Sequence, residues 1–197
     1  MVVFNSVDQT TKKYNIIYQD PPWSYKDKAL SGNRGACCKY NVMDNSQLYD
    51  MNVGSIASDD CVNFMWVTFP KLQAGLDLMK QQGFTYKTVA FTWVKHYRNG
   101  NQFIGMGRWT RANAEVCLLG TRGTPHRVNA GIRQIVEEFT DVIKSVPEQH
   151  SKKPDEVRDR IVQLCGDLPR IELFSRQEVS GWDQMGNEVR KRDEKVL

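Results

Sequence analysis

The sequence has no apolar run approaching the ~20 residues that a bilayer-crossing helix requires, and no C-x-x-C pair occurs in its 197 residues. Its five cysteines, Cys37, Cys38, Cys61, Cys117 and Cys165, are odd in number and scattered, so neither a disulfide framework nor a zinc site is indicated. Three histidines, His96, His126 and His150, do not recur at helical or finger spacing, and no metal site is expected from them. The opening "MVVFNSVDQTTKKYN" lacks the apolar core of a secretory leader. These absences point to a cytoplasmic chain with buried or incidental thiols. Its length points to one compact domain.

Acidic residues are also scarce in one stretch. Between Lys95 and Arg133 stand seven basic residues (Lys95, Arg98, Arg108, Arg111, Arg122, Arg127 and Arg133) against one acid, Glu115. That local excess is larger than the +4 net charge of the whole chain, and a concentrated basic segment is the footprint expected for a polyanion such as nucleic acid. A solvated surface with chance clustering is the other reading of the same charges.

What is present is a series of short apolar runs. "YNIIYQ" (14–19), "CVNFMWVT" (61–68), "TVAFTWVK" (88–95), "AEVCLLG" (114–120) and "RIELFS" (170–175) are rich in β-branched and aromatic residues. They show little polar alternation, as strands covered on both faces do. Two helices are predicted between them. "PKLQAGLDLMKQQG" has Pro70 at its start, Leu72, Leu76 and Met79 on one face, and Gly83 as its stop. "KPDEVRDRIVQLCG" starts at Pro154 with Asp155 and Glu156 in its first turn, presents Val157, Ile161, Leu164 and Cys165, and stops at Gly166. The alternation predicts an α/β fold with a mostly parallel sheet. Residues 26–45 and 96–113 are Gly/Asn-rich, basic and aperiodic, and are read as mobile functional loops. "GIRQIVEEFT" fits either a helix or a strand.

The run "YNIIYQ" is followed by "DPPW", residues 20–23. Asp20 thus falls beyond the carboxyl end of a strand, where α/β sheets place ligands. Pro21 and Pro22 fix their own φ and push the preceding residue out of the helical region, which makes a stiff, extended segment. Neither proline has an N–H, so the segment offers carbonyl acceptors, a carboxylate and the face of Trp23. Those groups suit a planar base with an exocyclic amino group, stacked on Trp23. Hydrogen bonds from the amine to Asp20 and to the Pro21 carbonyl would favour a pyramidal nitrogen, localise its lone pair and stabilise developing positive charge. A structural double-proline turn is the alternative.

The motif resembles that of the DPPW-type N(6)-adenine methyltransferases, the family of the eukaryotic messenger-RNA adenosine methyltransferase with bacterial and phage relatives that act on DNA adenine. "GMGRWTRANAEVCLLGTRG" (105–123), "HSKKPDEV" (150–157), "IELFSR" (171–176) and "GWDQMGNE" (181–188) also resemble family segments, in the expected order. The resemblance implies a Rossmann-like methyltransferase that uses S-adenosylmethionine, with the amino-acceptor motif ahead of the cofactor motif. It implies catalytic roles for Asp20, Pro21, Pro22 and Trp23. Cofactor contacts fall on Asp20, Lys153, Phe174, Arg176, Asn187 and Glu188, the last two at the ribose hydroxyls. Tyr40 matches a tyrosine in the loop behind the motif, and Lys28, Arg34, Arg108, Arg111 and Arg127 would line the nucleic-acid surface. Ser175 and Met185 depart from the glycine and tryptophan that many relatives carry, and an upstream adenosine-contacting acid has no clear counterpart. The expected activity is methylation of the 6-amino group of adenine in DNA, with the target base flipped out or unpaired. Methylation of RNA adenosine or of the cytosine 4-amino group, and a non-catalytic nucleic-acid-binding role, are the alternatives. Inactive members lose the aspartate or the aromatic, and both stand here.

Overall fold

A computed structural model describes residues 2–4, 6–25, 42–105, 107, 109–140 and 152–186. Among these residues eight strands form one sheet: β1 (Val3–Phe4), β2 (Tyr14–Gln19), β3 (Ala57–Val67), β4 (Thr85–Tyr97), β5 (Ala114–Arg122), β6 (Ile135–Thr140), β7 (Arg170–Leu173) and β8 (Asp183–Met185). Their order is β1-β8-β7-β2-β3-β5-β4-β6. Five of the neighbouring pairs are parallel, and only β5 runs antiparallel to its neighbours β3 and β4. The fold is therefore α/β with a mostly parallel sheet, as expected.

The two faces of the sheet follow the period of two along each strand. Ile17 and Met65 face a cluster that contains Leu78 and Met79 of α2 (Leu72–Gln81) and Leu48 of α1 (Asn45–Asp50). Ile16, Tyr18, Phe64, Trp66, Phe91 and Trp93 face the other cluster, which is closed by Val157 and Ile161 of α3 (Glu156–Cys165). Helices cover both faces, which is why the strands read as unbroken apolar runs.

The helix boundaries follow the stop signals, since Gly83 (φ 83°) and Gly166 (φ 90°) take the left-handed conformations that end α2 and α3. The buried face of α2 differs from expectation. Gly75, Leu78 and Met79 are buried, whereas Leu72 is exposed and Leu76 half-buried. A Cβ at Gly75 would overlap the Val67 side chain, so the helix presents its smallest residue at its closest approach to β3. In α3 the side of Arg158 joins the core: its guanidinium makes a two-pronged pair with Glu172 of β7 at 2.8 and 2.6 Å. That fork fastens the helix to the sheet.

One open reading of an irregular segment is resolved, and one predicted loop changes its extent. "GIRQIVEEFT" resolves as a strand, because Ile135–Thr140 pairs in parallel with β4. Near the first predicted loop, Met43 bridges to Trp23 and Asp44 caps α1 through a reciprocal pair with Gln47; residues 26–41 lie outside the described residues. The second loop is narrower than predicted. β4 runs through Tyr97, and the chain then folds back so that the Phe103 N–H donates to the Lys95 carbonyl at 3.0 Å.

Candidate active site

β2 ends at Gln19 and delivers Asp20 to the carboxyl edge of the sheet. Beneath this point, Gln19, Asn63 and Gln82 are buried and satisfy one another through hydrogen bonds of 2.8–3.0 Å. A fully paired polar cluster of this kind fixes the register of β2 against β3 and the helix end. The motif itself is braced on both sides. The Trp23 N–H donates to the Pro21 carbonyl at 2.8 Å, and the Met43 N–H donates to the Pro22 carbonyl at 2.8 Å. The Trp23 indole is only 4% exposed, and its Nε1–H donates to the Trp66 carbonyl at 3.1 Å. This corrects the picture of an open aromatic platform: burial of the ring pins the motif onto β3. The Pro21 carbonyl keeps one lone pair, since a carbonyl can accept twice.

From Asp20 a line of alternating charges crosses the sheet edge. Lys153 Nζ donates to Asp20 Oδ2 at 2.8 Å and lies 3.2 Å from Glu115 Oε2. Glu115 Oε1 in turn accepts from Lys95 Nζ at 2.6 Å. Lys95 Nζ sits 3.9 Å over the Trp93 ring, and Lys153 Nζ lies 5.6 Å from Trp66 and 5.8 Å from Trp93. The indoles form an apolar floor that also attracts cations.

The line polarises its members differently. Burial raises the Asp20 carboxyl above the ordinary aspartate range, and Glu115 adds to this, while Lys153 and Arg176 pull it back. Burial would also raise Glu115, but Lys153 and Lys95 outweigh it and hold that carboxyl below its usual range. Burial works against the charge of Lys153, yet the two carboxylates keep it raised and protonated. Asp20 remains partly open, with 29% of its side chain exposed, against 7% for Lys153.

Past β7, Phe174 takes a left-handed backbone conformation, φ 62°, unusual for a non-glycine residue. The turn is held by the Ser175 N–H donating to the Met185 carbonyl at 3.0 Å and by Ser175 Oγ donating to the Gln177 carbonyl at 2.8 Å. Strain of this kind, about 1–3 kcal/mol, collects where a chain is shaped for a ligand. Phe174 and Arg176 are half-buried, and Arg176 acts electrostatically on Asp20.

Asp20, Lys153 and Arg176 are therefore brought together, with Phe174 on the adjoining turn. Lys28, Arg34, Tyr40, Arg108, Asn187 and Glu188 lie outside the described residues. Arg111 is exposed on the segment that joins β4 to β5, at the Asp20 end of the sheet. Arg127 is not. It follows the far end of β5, and seven residues of strand, about 23 Å, separate Glu115 from Arg122. Its neighbour Val128 donates to the Leu164 carbonyl at the far end of α3. Two members of the basic segment serve inside the fold: Lys95 in the charge line, and Arg122 on the Gly54 and Gln82 carbonyls at 2.8 and 2.9 Å.

Residues 14–188 match the MT-A70 family. The chain belongs to that family. Among its relatives, a type II methyltransferase, M.MunI from a Mycoplasma species, is 36% identical over an alignment covering 90% of this chain and 78% of that protein. The N(6)-adenosine-methyltransferase MT-A70-like protein of Arabidopsis thaliana is 29% identical over 89% of this chain. The N(6)-adenosine-methyltransferase catalytic subunit METTL3 of Homo sapiens is 26% identical over 90% of it. This chain spans only 24% and 28% of those two eukaryotic proteins.

Within this MT-A70 chain, the residues that sequence reasoning passed over are Glu115 and Lys95. Their signal was in the charge pattern, because Glu115 is the single acid in the basic stretch 95–133. A lone acid among seven cations is a candidate for a fixed internal partner, and here it holds two lysines.

Proposed function

We propose that this MT-A70 chain is an S-adenosylmethionine-dependent methyltransferase that methylates the 6-amino group of adenine in DNA. The observation that carries the reading is the pairing of a partly exposed Asp20, held stiff by two prolines, with a buried Lys153 at 2.8 Å. The methionine end of the cofactor carries an ammonium and a carboxylate, and Asp20 beside Lys153 offers the complementary pair of charges. Phe174 and Arg176 on the strained turn, with Asn187 and Glu188 further along the chain, complete the proposed cofactor set. When bound, the cofactor supplies a methyl group on a positively charged sulfur.

The chain's own residues handle the acceptor. Lys153 donates to Asp20 Oδ2, so Oδ1 is the oxygen that takes a hydrogen bond from the adenine amine, and the second lone pair of the Pro21 carbonyl takes the other. These acceptors draw the lone pair out of conjugation and stabilise the positive charge that grows on nitrogen as the methyl arrives. Trp23 keeps the two acceptors in place. The family match from residue 14 to residue 188 supports one methyltransferase domain. The choice of DNA follows the 36% identity to a type II methyltransferase, against 26–29% for the adenosine methyltransferases of Arabidopsis and human. A bacterial or phage-infected cytoplasm is the compartment this reading implies.

Asp20→Ala tests the assignment. Methyl transfer is expected to fall about a hundred- to a thousandfold, as removal of a group that stabilises developing charge can cost, while S-adenosylmethionine binding by calorimetry survives in part. Turnover at the wild-type rate in that variant contradicts the reading.

A further inference from the structure

The described residues between β4 and β5 form a folded finger. Its base is tied down where the charge line ends. The Lys95 N–H donates to the Asn113 carbonyl at 2.9 Å, and the Phe103 N–H donates to the Lys95 carbonyl at 3.0 Å. The Tyr97 and Phe103 rings meet at 5.4 Å, and the Ile104 N–H donates to the Tyr97 hydroxyl at 3.3 Å. Further out, the two arms touch. A Cβ on Gly105 would overlap the Ala112 carbonyl oxygen, and one on Gly107 would overlap the Thr110 carbonyl oxygen, so only glycine lets the arms close.

Beyond this contact stands Trp109, which is 97% exposed. An indole is among the side chains most favourably withdrawn from water, and this one offers a whole ring face to a partner. Its neighbour in the chain points to the partner: Arg111, two residues on, is exposed and cationic. An exposed ring with a cation two residues along suits a stacked base beside a phosphate.

The finger also solves a problem posed by the site. Asp20 is recessed, with Pro21 and Trp23 buried next to it, so an adenine within a duplex cannot reach it without leaving the stack. Trp109 lies four residues from Asn113, no farther than about 14 Å along an extended chain. Asn113 itself sits two residues from Glu115 of the charge line.

We propose that Trp109 is a wedge that enters the duplex beside the target adenine and fills the stack after the base moves to Asp20. The proposal rests on the DNA-adenine reading above. Other DNA-binding proteins insert apolar side chains between base steps, parting the stack and kinking the duplex.

The test compares one DNA in two forms: unmethylated bacterial genomic DNA as duplex, and the same DNA heat-denatured, each with radiolabelled S-adenosylmethionine. Wild type labels both. Trp109→Ala is expected to lose at least about tenfold in rate on the duplex and to change less than about threefold on the denatured strand. Trp109→Phe, which keeps a ring, recovers most of the duplex rate. Equal rates for wild type and Trp109→Ala on duplex overturn the proposal, as does a phenylalanine variant no better than alanine. An equal loss on both forms also overturns it, and sedimentation of the variant then shows whether Trp109 is a contact between copies of the chain. If wild type labels neither form, the DNA reading itself fails and the wedge falls with it.

Discussion

At the scale of single residues, the chemistry depends on how Asp20, Lys153 and Glu115 share charge. Asp20 must be ionised to accept from an amine, and its carboxyl is raised by burial and by Glu115 but lowered by Lys153. A raised value means that the protonated, inactive form persists to higher pH, so the acid limb of kcat/KM against pH, which reports the free enzyme, lies above the ~3.9 of an unperturbed aspartate. Two substitutions move this limb in opposite directions. Glu115→Gln removes the repelling carboxylate, lowers the Asp20 value and extends activity to lower pH. Lys153→Met removes the stabilising cation and shifts the limb upward. Limbs that stay fixed in both variants, in a pH–rate profile, would mean that Asp20 is not the titrating group. "DPPW" was legible as an acceptor motif because prolines and an acid after an apolar run are locally unusual. The burial of Trp23 was not legible, since whether an aromatic faces a ligand or the core depends on Trp66, 43 residues away.

At the scale of elements, strands were read more faithfully than helix faces. Apolar runs marked β2, β3, β4, β5 and β7 because a sheet covered on both sides leaves no polar alternation to blur them. Strands β1 and β8, of two and three residues, were too short to carry a pattern. The face of α2 was misjudged because a glycine does not look like core. Gly75 sits where the helix meets Val67, with no room for a Cβ. Alanine favours a helix interior over glycine by about 1 kcal/mol, but overpacking costs about 1–3 kcal/mol. The two nearly oppose, and a Cβ that overlaps an already packed side chain places this site at the upper end of the packing cost. Gly75→Ala is therefore expected to lower stability by about 1 kcal/mol or more, read by thermal or urea unfolding. A stabilised variant would show that α2 can draw back from β3 freely.

At the scale of the whole molecule, the sheet directs the residues that do chemistry to one edge. The ends of β2 and β4, the start of β5 and the approach to α3 converge there, so residues from 20 to 153 meet within a few ångströms. No spacing in the sequence reports that convergence, which is why Glu115 and Lys95 were counted as charges rather than as parts of a site, and why Arg127 was grouped with residues at the opposite end. The basic segment therefore divides. Arg111→Ala is expected to weaken DNA binding and to reduce the slope of log affinity against log salt by about one, whereas Arg127→Ala leaves both unchanged in a fluorescence-anisotropy titration. Equal effects of the two would place nucleic acid on another surface. The central claim, methylation of the adenine amine in DNA, is tested most directly by nucleoside analysis of the reaction product. DNA and RNA are each incubated with the protein and labelled S-adenosylmethionine, digested to nucleosides and resolved by chromatography with mass detection. The account predicts label in N6-methyldeoxyadenosine from DNA; label confined to RNA, or found on cytosine, would contradict it.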